Sequence, residues 1–401
     1  MKSLRELYKI GKGPSSSHTM GPNKAASQFL ERNGEASSFE VTLYGSLAAT
    51  GKGHMTDVAI LEVLEPVAPV NLIWKPEVFL PFHPNGMNFK AFDAEKHLME
   101  DWTVYSVGGG ALSDGKKELE SEDVYDMNYL SEIMAWCESN GQSYWEYVDQ
   151  CEGPEIWDYL KTIWDTMQEA VERGINHEGV LPGPLKLKRK APIYYVKATG
   201  YKQTLQTRGL VYAYALAVSE ENASGGTIVT APTCGSSGVL PAVLYHLAKG
   251  HDFKEIRILH ALATAGLIGN IVKQNASISG AEVGCQGEVG VACAMAAAAA
   301  CQLFGGSPSQ IEYAAEMALE HHLGMTCDPV CGLVQIPCIE RNAFAATRAL
   351  DANLYASFSV GKHQISFDHV VDVMKQTGKD LPSLYKETSA GGLAKKFKMS
   401  Y

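Results

Sequence analysis

Val289-Gly290-Val291-Ala292-Cys293-Ala294-Met295-Ala296-Ala297-Ala298-Ala299-Ala300-Cys301 is the longest apolar run in the chain. It falls short of the roughly 20 residues that a membrane span needs. Alanine favours the helix, and a helix with no polar face must be buried. The run therefore predicts a helix enclosed by protein, with short side chains that let its neighbours come close. On either side, segments near Leu205–Glu221, Gly238–Lys249, Ile256–Val272, Ser309–His322 and Arg341–Leu354 are also rich in Ala and Leu. Most are separated by Gly, Pro or Asn, which punctuate helices.

Upstream the pattern changes. Phe39, Val41 and Leu43 alternate with Glu40, Thr42 and Tyr44, the period of a half-buried strand. Asp57–Leu64 has helical spacing, and Trp102–Val107 reads as a strand running into Gly108-Gly109-Gly110. The acidic stretch Ser113–Asp126 precedes a domain junction, placed before Gly153. The fold class is thus α+β: an N-terminal mixed α/β domain over 1–150, followed by an almost all-α domain over 151–401.

The 401 residues are 46% hydrophobic and 20% charged, with a net charge of −11. That balance suits a globular chain and repels phosphate backbones, so nucleic acid is not expected as a partner. The one basic cluster, Lys186, Lys188, Arg189 and Lys190, reads as a solvated loop. Met1–Gly13 lacks the apolar core of a signal peptide, and no membrane partner is expected. These readings point to the cytoplasm, where nine cysteines serve as thiols or metal ligands rather than disulfides.

Three glycine-rich stretches bear on chemistry. Gly13-Pro14-Ser15-Ser16-Ser17-His18-Thr19, ahead of a helix starting near Gly21, can cradle a carboxylate with hydroxyls and N–H groups, or can be an elaborate N-cap. Gly45 to His54 resembles a phosphate loop, but Gly53 stands where a magnesium-binding hydroxyl belongs, which rules out nucleotide binding; His54 remains a polar site candidate. Ala231-Pro232-Thr233-Cys234-Gly235-Ser236-Ser237-Gly238 leads into a helix and offers a second anion cradle, with Cys234 as a small buried thiol. No CxxC pair occurs. Cys285, Cys327, Cys331 and Cys338 lie beside Gly or Pro in loops, suited to metal binding, whereas Cys293 and Cys301 lie within the alanine run, suited to packing.

GKGPSSSHTMGP, YGSLAATGKGHMTD, NHEGVLPGPL, TAPTCGSSGVLPAVL, NASISGAEVGCQGEVGVACAMAAA, TCDPVCGLVQIPCIERNA and ETSAGGLA resemble, in order, motifs of the single-chain bacterial iron–sulfur L-serine dehydratases. The likeness runs from residue 2 to about 395. It implies a beta-type domain followed by a cluster-binding alpha-type catalytic domain. It also implies a [4Fe–4S] cluster on Cys285, Cys327 and Cys338, with Cys331 a bystander. The resemblance further implies L-serine as substrate, pyruvate and ammonia as products, and a homodimer. His18 is the candidate base, with Ser16 and Ser17 as catalytic neighbours. Ser15, Thr19, His54, Thr233, Gly235, Ser236, Ser237, Asn275 and Ser277 are substrate-binding candidates.

The chain departs from the family at its end. Many relatives finish in a cysteine that ligates the cluster, whereas this one finishes Phe397-Lys398-Met399-Ser400-Tyr401, leaving water or Tyr401 for that place. The competing expectations are a cluster-dependent lyase of L-cysteine or L-threonine, and a non-catalytic iron–sulfur or amino-acid sensor. Pyridoxal phosphate is disfavoured, because no Ser-x-Lys-x-Arg/Gly string occurs.

Overall fold

Phe39, Val41 and Leu43 turn one face of the strand Ser38–Tyr44 into a core shared with Phe29 of the helix Gly21–Arg32 and with Ile60 and Leu64 of the helix Thr56–Leu64. These relations come from a computed structural model that describes residues 1–115 and 123–397. The acidic stretch expected at the junction lies partly, and Tyr401 wholly, outside the described residues. Ser38–Tyr44 runs parallel to Val70–Lys75, and short helices make the crossover that a parallel pair requires. On its other side the sheet continues antiparallel through Gly86–Phe92, Leu98–Ser106 and Leu112–Ser113. The strand read from Trp102 begins earlier, at Leu98. Its exposed first turn lacks an apolar alternation, yet Lys90 still pairs with Asp101 and Ala91 with Glu100.

Everything else is mainly helical. Every residue from Val289 to Cys301 is buried, and the helix Val289–Leu303 packs against Val239–Gly250, Glu255–Asn275, Pro308–Glu320 and Cys338–Ser357. Its methyl side chains allow this crowding. At Gly269, on a neighbouring helix, even a Cβ would lie 2.8 Å from Met295 Sδ. Glu255–Asn275 is long and apolar enough to cross a membrane, but most of it is buried among its neighbours. In chain order, Leu130–Asn140, Tyr144–Glu152, Glu155–Asn176 and Ala191–Thr199 follow the sheet; alanine content did not single them out. Glu155–Asn176 instead buries a stripe of Ile156, Leu160, Ile163, Trp164, Met167 and Val171, the spacing of one helical face. The chain is α+β, as its periodicities indicate.

Two features place the site. The start of the chain is anchored in the helical core: Leu4, Leu7 and Tyr8 are fully buried there, and Tyr8 Oη donates to the Leu262 carbonyl (2.9 Å). Ile10–Lys12 then pairs antiparallel with Thr227–Val229, so the serine turn that follows is held against the helices. The basic cluster is the solvated loop expected at Lys186 and Lys188, which are exposed, and departs from it at Arg189. Arg189 is buried, because its Nη1 reaches Glu221 Oε1 at 2.8 Å, while Lys190 pairs with Glu340 at the surface (2.7 Å).

Candidate active site

Ser15 has extended backbone, and its Oγ accepts from His18 N (3.1 Å), which caps the helical turn Ser16–Met20 that leads directly into Gly21–Arg32. The serine turn is therefore an N-cap, yet Ser15 also lines a cavity. That cavity is walled by Pro14, Ser15, His54, Gly235, Cys285, Glu288, Cys327, Pro329, Val334, Cys338 and Glu387. The two cradles foreseen in the sequence and the three loop cysteines thus converge on one space.

Hydroxyls lock the imidazole side of it. Ser17 Oγ lies 2.8 Å from His18 Nδ1, and Ser46 Oγ lies 3.3 Å from His18 Nε2. Ser15 N donates to Thr19 Oγ1 (3.1 Å), Thr19 Oγ1 to the His54 carbonyl (2.6 Å), and Thr56 Oγ1 to the His18 carbonyl (2.5 Å). The two rings meet edge-on, 4.5 Å between centroids. Burial pushes His18 down to about 4 and holds His54 well below the usual histidine range, so both are neutral at pH 7. Both rings are buried, but His54 lines the cavity where His18 does not, and among the described residues its Nδ1 has no partner.

The opposite wall comes from the loop before the helix Val239–Gly250. Thr233 Oγ1 donates to Glu288 Oε1 (2.8 Å) and lies 3.2 Å from Ser236 Oγ, while Ser237 Oγ is buried and unpaired. Asn342 fastens this loop: its Nδ2 donates to the Gly235 carbonyl (2.8 Å), and its Oδ1 accepts from Gly238 N (3.0 Å). Gly280 is required nearby, since a Cβ there would fall 2.6 Å from Glu288 Oε2 and 3.2 Å from Cys327 Sγ.

The thiols form an electrostatic set. Ligand atoms of Cys285, Glu288 and Cys327 lie within 4.8 Å of one another, and Cys338 lines the same cavity. A hydrogen bond from Cys327 and the nearby Arg341 guanidinium hold the Cys285 thiol below its usual range, against burial. The same bond, with burial, pushes Cys327 up; burial and the Cys285 charge push Cys338 up. One thiolate thus opposes the next, and the set can ionise fully only around a cation. These buried cysteines could hold a metal cluster. The other thiols differ: Cys331 is exposed, Cys234 Sγ packs 3.4 Å from Met20 Sδ, and Cys293 Sγ reaches the Ala345 carbonyl at 3.2 Å.

Asn275 and Ser277 are placed elsewhere. Asn275 Nδ2 donates to the Asn128 carbonyl (2.6 Å), and Ser277 Oγ is bonded to Glu282 beside a separate hollow lined by Lys375, Lys379 and Lys386. Ser16 and Ser17 are buried in the turn behind Ser15. Sequence reasoning missed Glu288, Glu387, Ser46, Arg341 and Asn342. All five stand inside the quoted motifs, but only the fold shows that they meet.

An α+β protein whose helical body presents three loop cysteines to an N-terminal turn of serines and imidazoles is the class that fold and site define. The family described as "Serine dehydratase alpha chain" matches residues 91–394, and that described as "Serine dehydratase beta chain" matches residues 3–72. "L-serine dehydratase TdcG" of Escherichia coli is 43% identical, over 98% of this chain and 99% of its own. "L-serine dehydratase" of Streptomyces coelicolor is 42% identical over 98% of each chain, and that of Helicobacter pylori 39% identical over 99% of each. The chain belongs to the serine dehydratase family.

Proposed function

We propose that the protein is a [4Fe–4S]-dependent L-serine ammonia-lyase that converts L-serine to pyruvate and ammonia. The observation that carries this reading is the convergence of Cys285, Cys327 and Cys338 on the cavity that also receives Ser15, His54 and Gly235. The donor set fits the group: three soft, mutually repelling thiols suit a cluster with one iron left open. Bound by these three residues, the cluster supplies a Lewis-acidic iron that makes the serine hydroxyl a better leaving group.

The protein's own groups do the rest. Ser15 and the Thr233–Ser237 loop bind and orient the substrate carboxylate through hydroxyls and backbone N–H groups. A neutral imidazole removes the α-hydrogen as a proton. His18 was singled out by its serine-rich turn, but one observation favours His54: it faces the cavity with Nδ1 free. We assign proton removal to His54 Nδ1, with His18 as the second candidate and as the ring against which His54 is positioned. The resulting aminoacrylate is released and hydrolyses to pyruvate and ammonia.

Anaerobically reconstituted protein tests the reading: it should be brown and make a keto acid from L-serine faster than from L-threonine or L-cysteine. Faster turnover of either of those replaces the substrate, because one atom in a small pocket discriminates weakly. A brown protein silent on all three is a sensor.

A further inference from the structure

Glu387 is a buried carboxylate in the cavity wall that the lyase reading leaves without a task. It is 6% exposed, and its φ of 57° lies in the left-handed region that glycine favours. Such a conformation persists only where the surroundings impose it, and here they do so on both sides. Glu387 N donates to the Cys327 carbonyl (2.8 Å), and the Glu387 carbonyl accepts from Ser46 Oγ (2.9 Å). The backbone is thereby tied to a loop cysteine of the helical body and to the N-terminal helix Gly45–Thr50.

The side chain so placed is incomplete. Oε1 lies 3.6 Å from His18 Nδ1, an imidazole already bonded to Ser17 Oγ, and Oε2 has no partner among the described residues. Among the described residues no lysine or arginine pairs with Glu387. Its neighbours in the cavity instead include Glu288 and Cys285. Burial and the charges of Glu288 and Cys285 push its carboxyl well above the ordinary range, so its anion is costly unless something cationic arrives beside it. Glu288 cannot play the same part, because its Oε1 accepts from Thr233 Oγ1 at 2.8 Å and its Oε2 faces Cys327 Sγ at 3.9 Å. Glu387 is the carboxylate in this wall with an oxygen to spare.

An α-amino acid brings three polar groups into the cavity. Hydroxyls and N–H groups suit its carboxylate, and the metal-binding thiols mark where its hydroxyl goes. Its ammonium needs an anionic acceptor. We propose that Glu387 Oε2 binds the substrate α-ammonium, and so selects α-amino acids over carboxylic acids that lack the amine. The assignment rests on the amino-acid lyase reading above.

The test measures Kd by calorimetry on anaerobically reconstituted holoenzyme, wild type and Glu387→Gln, for two ligands that cannot turn over. L-Alanine carries ammonium and carboxylate, and propionate carries the carboxylate alone. Glu387→Gln should weaken L-alanine at least tenfold and change propionate less than twofold, with the loss in kcat/KM for L-serine appearing mainly in KM. Equal weakening of both ligands, or unchanged L-alanine binding, overturns the assignment. Should the variant not fold, the wild type decides: L-alanine must bind at least tenfold tighter than propionate, and equal affinity refutes the proposal. Wild-type protein that neither binds L-alanine nor turns over L-serine refutes the lyase reading itself, a failure separable from that of Glu387 because it precedes any substitution.

Discussion

Cys285, Cys327 and Cys338 are buried to nearly the same degree as Cys293 and Cys301, at 3%, 5% and 9% exposure against 0% for both helical thiols. The two sets nevertheless sit in opposite settings. In the alanine helix each thiol is a small filler: burial drives Cys301 up to about 11, against a hydrogen bond with Ser357, and drives Cys293 up as well. In the other set, Cys285 is held low by a hydrogen bond from Cys327 and by Arg341, Cys327 rises chiefly through that same bond, and Cys338 rises chiefly through burial. Burial therefore does not distinguish a ligand from a filler. What does is whether the backbone carries several thiols to one point, and short turns and a helix start set beside Gly and Pro do that where the interior of a regular helix spreads its cysteines along its length.

The strongest way to break the contrast is substitution. Cys327→Ala should abolish iron binding and the visible absorption band, whereas Cys293→Ala should keep full iron and lose about 1 kcal/mol of stability through a small cavity. Iron assay and denaturant unfolding read both outcomes; full iron in the first variant or none in the second reverses the comparison. The next effect in size belongs to the two imidazoles. His54→Ala should lower kcat per iron about 10²–10⁴-fold, the usual cost of losing a positioned base. His18→Ala should cost less, and the reverse order in a steady-state assay would move proton removal to His18.

Filling the alanine helix sharpens the other side. Ala297→Leu should destabilise by about 1–3 kcal/mol, because a fully buried methyl position among packed helices has no room for a larger side chain. Iron per folded molecule should stay unchanged. The smallest effect concerns charge in the helical body. Burial, with Glu320 nearby, raises the Glu316 carboxyl to about 7. A raised folded-state value stabilises fully below the unfolded carboxylate range, and this contribution is lost as pH rises through about 7. Glu316→Gln does not titrate, so its stability relative to wild type should improve from pH 5 to pH 8, by roughly 1 kcal/mol after allowance for solvent screening. A constant difference in thermal midpoint across that range would show that Glu316 titrates normally.

Much of the fold was legible in periodicity. The apolar run from Val289 to Cys301 forms the helix Val289–Leu303; the strand through Phe39, Val41 and Leu43 is Ser38–Tyr44. These elements carry their instructions locally, as an apolar run or an alternation. The helices between 130 and 199 were less visible, because their apolar stripes are diluted by charged residues on the solvent face. The segment at the chain start was not visible at all. Leu4, Leu7 and Tyr8 are too few to signal a helix, and only the helical core gives them a place.

For the site, residue chemistry and local turns could be read one segment at a time: a serine turn with an imidazole, a hydroxyl loop before a helix, cysteines beside Gly and Pro. Their meeting could not. Residues 15, 54, 235, 285, 327, 338 and 387 share one cavity only because the strand pair of Ile10–Lys12 with Thr227–Val229, the Asn342 clasp and the Glu387–Cys327 backbone bond draw distant segments together. The sequence by itself determined which side chains could cap, pack or ligate, since those properties are set by one residue and its near neighbours. The tertiary structure alone decided that Asn275 and Ser277 lie outside the cavity, that His54 rather than His18 lines it, and that Glu387 has an oxygen unpaired among the described residues. Each of those depends on contacts between segments tens to hundreds of residues apart, which no local pattern records.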